Sequence, residues 1–314
     1  MILVFFLFVS ILVIILSIKL SVYADEITKT TNISKNIVGG VLVAGITSLP
    51  ELITCLSSIY LKNYYLAFGD ILGSNLFNIS IICFFDIIFI KKFIFNKTNS
   101  SSLIYILLLI NYIFIYLSLS SVLNVSLFNI GIPSIIIIAT YIYYLKHVNS
   151  CEEEKSINQS SNKNFVILKF ILTAIILIIT SILLTFIVNK LSIMYPSVSS
   201  SFIGAIFLGI TTSMPEVVTF ITLINLDNYS MALLDIIGSN LFNLLIIAMG
   251  DLVMLNDKIY NYADRQSFFI LILCIITTVI SMLQNKIKLK NKFLYIIPSI
   301  IVFILYIVFL IYNM

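Results

Sequence analysis

Apolar residues run along this chain in ten long blocks, at roughly 2–22, 37–60, 65–90, 102–119, 127–145, 165–189, 199–224, 229–255, 266–283 and 293–312, with short polar stretches between them. A helix of about 20 residues crosses the hydrocarbon core of a bilayer. The pattern therefore predicts an all-α membrane protein of ten transmembrane helices. Loops mostly shorter than about 20 residues leave no room for a soluble catalytic domain, which argues against an enzyme. Whatever this protein does, it does inside the membrane. The first block has the position of a signal peptide, and Val22-Tyr23-Ala24 would pass as a cleavage site. It lacks a basic leader and outruns a typical signal core, so a retained helix is expected.

Composition agrees, since 61% of the 314 residues are apolar and only 10% charged, a balance that belongs in lipid. The net charge of +4 reads as topology and offers no nucleic-acid surface. With the N-terminus outside, only Lys62, Lys190, Lys258 and Arg265 of the 18 basic residues fall on the outer side, and the other 14 gather on the inner one. Cytoplasmic loops carry that excess, so both termini are expected outside a cell membrane. The central loop, with His147 and the run Glu152, Glu153 and Glu154, reads as a solvated linker. Cys55, Cys83, Cys151 and Cys274 show no spacing suited to zinc or redox chemistry.

The chain repeats itself at an offset of 165 residues without a gap. Positions 47–86 against 212–251 give 21 identities in 40, including Pro50/Pro215, Glu51/Glu216, Asp70/Asp235, Gly73/Gly238, Ser74/Ser239, Asn75/Asn240, Asn78/Asn243 and Asp86/Asp251. A compositional bias toward Ile, Asn, Lys and Tyr cannot place polar residues in register inside membrane spans. Five spans per half is an odd number, so the second half enters the membrane from the opposite side. The expected domains are an inverted pair of five-helix repeats, 1–146 and 165–314, joined by a cytoplasmic linker at 147–164. Secondary transporters built this way place their site near the midplane, at interrupted helices.

An acidic residue in lipid costs roughly 2.5–3.5 kcal/mol on insertion scales, so an intramembrane carboxylate is a functional candidate by default. Six obey the repeat, and no Lys or Arg lies deep in a span to pair with them. A bound cation is the simplest countercharge. Glu51 and Glu216 stand near mid-span, each directly after a proline. Pro50 and Pro215 cannot donate to the carbonyls of Ile46 and Thr211, so each helix opens one turn before its glutamate. Freed carbonyls and the neighbouring hydroxyls of Thr47, Ser48, Thr212 and Ser213 then become oxygen ligands of the kind a hard cation such as Ca²⁺ collects. In the partner segments, Asp70, Ser74 and Asn78 fall four residues apart on one helix face, as do Asp235, Ser239 and Asn243. The asparagines are the strongest ligand candidates. Gly73 and Gly238 would permit close helix approach. Asp86 and Asp251 lie two turns further on, near the span ends, where a water-exposed carboxylate costs little; they read as interfacial residues or as a vestibule that attracts cations.

Thr47-Ser48-Leu49-Pro50-Glu51 and Gly73-Ser74-Asn75-Leu76-Phe77-Asn78, with their copies Thr212-Ser213-Met214-Pro215-Glu216 and Gly238-Ser239-Asn240-Leu241-Phe242-Asn243, resemble the paired motifs of the cation/calcium exchanger family. The resemblance implies that Glu51 and Glu216 hold Ca²⁺ and Na⁺ alternately, with the carbonyls of Thr47 and Thr212 completing the Ca²⁺ shell. Ser48, Ser74, Asn78, Ser213, Ser239 and Asn243 would serve Na⁺ or its transport water. The sequence departs from the pattern at Ile46 and Thr211, where the motif has glycine, and at Asn243, where some members carry Asp. The expected activity is Ca²⁺/Na⁺ antiport by alternating access, with H⁺/Ca²⁺ antiport on the same residues as the alternative and a cation channel as a more distant one. No cofactor beyond the transported ions is implied, and no partner beyond the lipid bilayer.

Overall fold

The computed structural model describes residues 2–30, 48–97, 102–123, 125–127, 130–148, 163–225, 227, 229–254, 257–262 and 264–312. The chain forms helices α1 (Ile2–Thr30), α2 (Leu49–Tyr60), α3 (Tyr64–Ile88), α4 (Ser102–Leu119), α5 (Ile132–Val148) and α6 (Lys163–Met194). These are followed by α7 (Ser200–Thr212), α8 (Met214–Asn225), α9 (Tyr229–Val253), α10 (Arg265–Ile287) and α11 (Lys292–Tyr312). Six of them are long and apolar enough to cross a membrane, and α7 with α8, bent by 45° at Ser213, supplies a seventh. Each block read from the sequence contains one of these helices or that bent pair. The stretch 37–47 of the second block lies outside the described residues, as do Cys151 and the Glu152–Glu154 run. The fifth block opens differently from the expectation. Ser126–Leu127 and Ile130–Gly131 pair as a two-stranded antiparallel ribbon, and the helix begins only at Ile132.

Two helices form the centre, and both are buried almost all round. From Leu66 to Asp86, α3 exposes almost nothing, and α9 is buried along most of its length. Neither shows an apolar stripe, because neighbours surround them: α2, α7, α10 and α11 pack on α3, while α4, α5 and α8 pack on α9, and the two also touch each other. Close approach rests on glycine. A methyl at Gly73 would stand 2.3 Å from the Ala205 Cα, a distance no side chain can occupy. The matching Gly238 is looser than the repeat implies, since its nearest obstacle is the Tyr144 hydroxyl at 3.3 Å. At the periphery α1 packs along α6. Both turn large apolar side chains outward, Val4 at 71% and Ile193 at 69% exposure among them, as a lipid-facing surface does.

Candidate cation site

Glu51 sits in the first turn of α2 and Glu216 in the first turn of α8, each directly behind its proline. A proline near the start of a helix gives up an amide that has no intrahelical partner there anyway. The α7–α8 break explains the placement, because the ladder stops at Thr212 and restarts at Met214, with a π-helical turn at Gly204–Leu208 upstream. The two glutamates are 0% and 1% exposed. Each lies at the positive end of a short helix, which favours a negative group there.

The two halves exchange partners at this point. The Ser213 hydroxyl donates to Oε1 of Glu51 at 3.2 Å, and the Ser48 hydroxyl donates to Oε1 of Glu216 at 3.4 Å. Ser48 occupies the position before α2 where a serine ordinarily caps its own helix, yet it makes no such cap. Its hydroxyl crosses to the other half instead. Thr212 stands beside Glu51 and returns its own hydroxyl to the Leu208 carbonyl at 3.0 Å. Among the described residues no hydrogen bond reaches Oε2 of Glu51. Thr47 lies outside them. No Lys, Arg or His occurs in α2, α3, α7, α8 or α9.

A second exchange joins α3 to α9. Asn75 donates to the Asn240 carbonyl and Asn240 to the Asn75 carbonyl, both at 3.1 Å. Asn78 donates to Oδ1 of Asn240 at 2.9 Å and Asn243 to Oδ1 of Asn75 at 3.0 Å. Asn75 and Asn240 thus act as a clasp between the two central helices, a role their place in the motif did not reveal. The Oδ1 atoms of Asn78 and Asn243 are buried and accept nothing among the described residues. They are available as ligands.

The stripe Asp70, Ser74, Asn78 does face inward, but each residue meets a different neighbour. Ser74 donates to the Gly209 carbonyl of α7 at 3.2 Å, one turn before the break. The Asp70 carboxylate meets the Thr54 hydroxyl of α2, and among the described residues its Oδ1 has no hydrogen bond. Thr54 is a site residue that sequence reasoning missed, although its repetition as Thr219 was the available signal. In the second half Asp235 is partly buried, and neither its Oδ2 nor the Ser239 hydroxyl is hydrogen-bonded among the described residues.

Asp86 and Asp251 correct the expectation of water-exposed carboxylates at span ends, being 0% and 1% exposed. Asp86 accepts from Tyr295 at 2.5 Å, Ser299 at 2.6 Å and Gln284 at 3.1 Å. Asp251 accepts from Ser134 at 2.7 Å, the Gly131 amide at 2.8 Å and the Ile259 amide at 3.0 Å. Ser134 and Ser299 are themselves 165 residues apart, and each serves the carboxylate of the opposite half. These are structural anchors held by donors from other elements of the fold, and their burial corrects the expected exposure to water.

The model of the sodium/calcium exchanger protein family matches residues 1–148 and 165–314. An uncharacterized membrane protein of Methanocaldococcus jannaschii, MJ0091, is 24% identical over 235 residues, covering 74% of this chain and 75% of that protein. Among solved structures, the sodium-calcium exchanger NCX_Mj soaked with 2.5 mM Na⁺ and 0.1 mM Sr²⁺ superposes with a TM-score of 0.61 at 19% identity, over 98% of both chains. The H⁺/Ca²⁺ exchanger CAX superposes with a TM-score of 0.65 at 14% identity, over 99% of this chain and 88% of that one. These likenesses are likenesses of fold. Taken with the family match over both halves, they make this a multi-pass integral membrane protein, and the chain belongs to the sodium/calcium exchanger protein family.

Proposed function

We propose that this chain is a secondary active antiporter that exchanges Ca²⁺ for Na⁺ by alternating access at a site between two inverted five-helix repeats, 1–146 and 165–314, joined at 147–164. The reciprocal exchange of partners supports that arrangement, because Ser48–Glu216 with Ser213–Glu51 and Asn78–Asn240 with Asn243–Asn75 are the pairs a two-fold operation would generate. The lysine distribution supports a cell-membrane protein with both termini outside.

One observation carries the functional reading: the buried glutamates Glu51 and Glu216 each accept a serine hydroxyl from the other half, on helices that hold no basic residue. Buried charge is tolerated when paired or when it coordinates an ion. Glu51 and Glu216 therefore carry the divalent ion, with the backbone near Thr47 and Thr212, the hydroxyls of Ser48, Ser74, Ser213 and Ser239, and the amide oxygens of Asn78 and Asn243 completing the oxygen set. The empty centre holds two negative charges in a low-dielectric layer and is costly to reorient, whereas Ca²⁺ or several Na⁺ neutralise it. That cost makes exchange obligatory.

Proton coupling has an observation of its own. The Thr54 hydroxyl lies within hydrogen-bonding reach of the Pro50 and Glu51 carbonyls as well as of Asp70. One hydrogen cannot serve three acceptors. A proton on Asp70, donated to the Thr54 oxygen, completes the set and gives the H⁺/Ca²⁺ reading a carrier. Ca²⁺ uptake into liposomes holding purified protein separates the two. Uptake driven by a Na⁺ gradient in the presence of a protonophore is the expected result. Uptake driven only by a pH gradient transfers the assignment to H⁺, and no gradient-driven uptake of either kind refutes antiport.

A further inference from the structure

Among the described residues, exposed lysines gather where α3 and α10 end. The segment Ile90–Lys97 follows α3, and a tight turn at 288–291 joins α10 to α11, with Lys288 in the left-handed conformation at φ 50°. The two segments are fastened together. Asn96 donates to the Leu289 carbonyl at 2.8 Å, Asn285 donates to the Phe95 carbonyl at 2.9 Å, and the Tyr295 hydroxyl accepts from the Phe95 amide at 3.1 Å. Lys91, Lys97, Lys286, Lys290 and Lys292 are thereby collected on one face, all exposed, and neither segment contains an acidic residue. Asp227, the nearby surface acid, is taken up by Lys92 at 3.5 Å, and Asp86 has a filled shell.

Apolar side chains stand among these lysines, with Ile287 58%, Leu294 52% and Phe293 83% exposed. A free phosphate would have no use for them. The membrane that the flanking helices cross supplies both partners at once, acyl chains for the apolar groups and headgroup phosphates for the ammonium groups, whose stems reach along the apolar surface to the headgroup level.

We infer that this face binds anionic phospholipid, with Lys286, Lys290 and Lys292 on the headgroup and Ile287 and Phe293 against its chains. The face borders a hydrogen-bond network that reaches α3. Gln284 and Tyr295, at the edges of the turn, hold Asp86, which is on the same helix as Asn78.

The full chain in phosphatidylcholine nanodiscs doped with phosphatidylglycerol tests the inference, with retained lipid counted by native mass spectrometry after detergent extraction. The wild type should enrich phosphatidylglycerol at least about tenfold over phosphatidylcholine, since each lysine near an anionic surface adds roughly a fivefold preference and two acting together already exceed that figure. The triple variant K286Q/K290Q/K292Q should lose most of that enrichment, while K62Q/K190Q/K258Q, at the opposite ends of the helices, should keep it. Equal retention by the first variant, or equal loss in the second, overturns the site. Soluble glycerol 3-phosphate should not displace the retained lipid, and efficient displacement overturns the assignment to lipid in favour of a free phosphate. Should the triple variant fail to purify, Phe293→Ser and Lys290→Gln singly give the same readout, each with a partial loss of enrichment; unchanged enrichment in both counts as refutation.

Discussion

Glu51 and Asp86 are both fully buried carboxylates in the same half of the molecule, and they could hardly be treated more differently. Asp86 receives three donors and has no capacity left over for a ligand that would be worth its desolvation. Glu51 accepts the Ser213 hydroxyl from the other half, with Thr212 beside it, and no hydrogen bond reaches its Oε2 among the described residues. Burial alone therefore says nothing about role here, and the tally of donors does. A carboxylate whose shell is complete holds helices together, and one that keeps an oxygen open has room for a ligand.

The largest effect should come from the two glutamates. Glu51→Gln and Glu216→Gln are each expected to reduce Ca²⁺ uptake in liposomes at least about 100-fold, because one carboxylate cannot offset the desolvation of a divalent ion. Their thermal unfolding should be unchanged or shifted upward. Asp86→Asn and Asp251→Asn should behave in the opposite way, losing about 2 kcal/mol of stability from disrupted donor sets, with the half-saturating Ca²⁺ concentration of the folded fraction unchanged. Wild-type unfolding together with abolished transport in Asp86→Asn would break the division.

Ser48→Ala and Ser213→Ala probe its symmetry. Each removes one hydroxyl from one glutamate, worth about 1 kcal/mol, so Ca²⁺ half-saturation should rise about fivefold in both and by similar factors. Unequal factors would show that the two glutamates do not share the ion evenly. Asn243→Asp adds a third negative group to the centre. It should increase the number of monovalent ions per cycle and steepen the voltage dependence of Ca²⁺ flux, since one charge crossing the membrane is worth about 2.3 kcal/mol per 100 mV. Flux measured under imposed potentials checks this.

The smallest effect belongs to the surface. The Tyr229 hydroxyl and then Lys92 hold the Asp227 carboxyl below the usual carboxylate range. A depressed carboxyl stabilises the fold at neutral pH, and that contribution fades as the pH falls through its folded-state value. The group is fully exposed, so solvent screens nearly all of it. Asp227→Asn should melt with the wild type at neutral pH, within the scatter of the measurement.

Much of the centre was legible because polar residues inside membrane spans are few and the 165-residue offset brings them into register twice. Pro215-Glu216 announces the helix break seen as the α7–α8 bend, while the matching break before Pro50-Glu51 lies outside the described residues. The anchors were not legible. The donors to Asp86 come from positions 284, 295 and 299, and those to Asp251 from 131, 134 and 259. An acid at a span end has the same sequence signature whether it meets water or a ring of hydroxyls from distant helices. The clasp of Asn75 and Asn240 was hidden for a related reason, since a motif records that a residue is fixed and not whether it serves a ligand or a neighbouring helix. The β-ribbon before α5 escaped because Ile130 and Ile132 prolong an apolar run whose period cannot distinguish a short strand from a helix end.

The crossing of the serines bears on how such a molecule can come into being. Each half carries a glutamate whose hydroxyl partner is encoded in the other half, at Ser213 for Glu51 and at Ser48 for Glu216. On the proposed inverted arrangement, a gene for one half could assemble this centre only if its product met a second copy inserted upside down. Fusion of two copies makes that encounter certain, and from then on the two serines and two glutamates are inherited as a single unit. The halves can diverge freely along their lipid-facing surfaces, while a change at any of these four positions registers in the half that does not contain it.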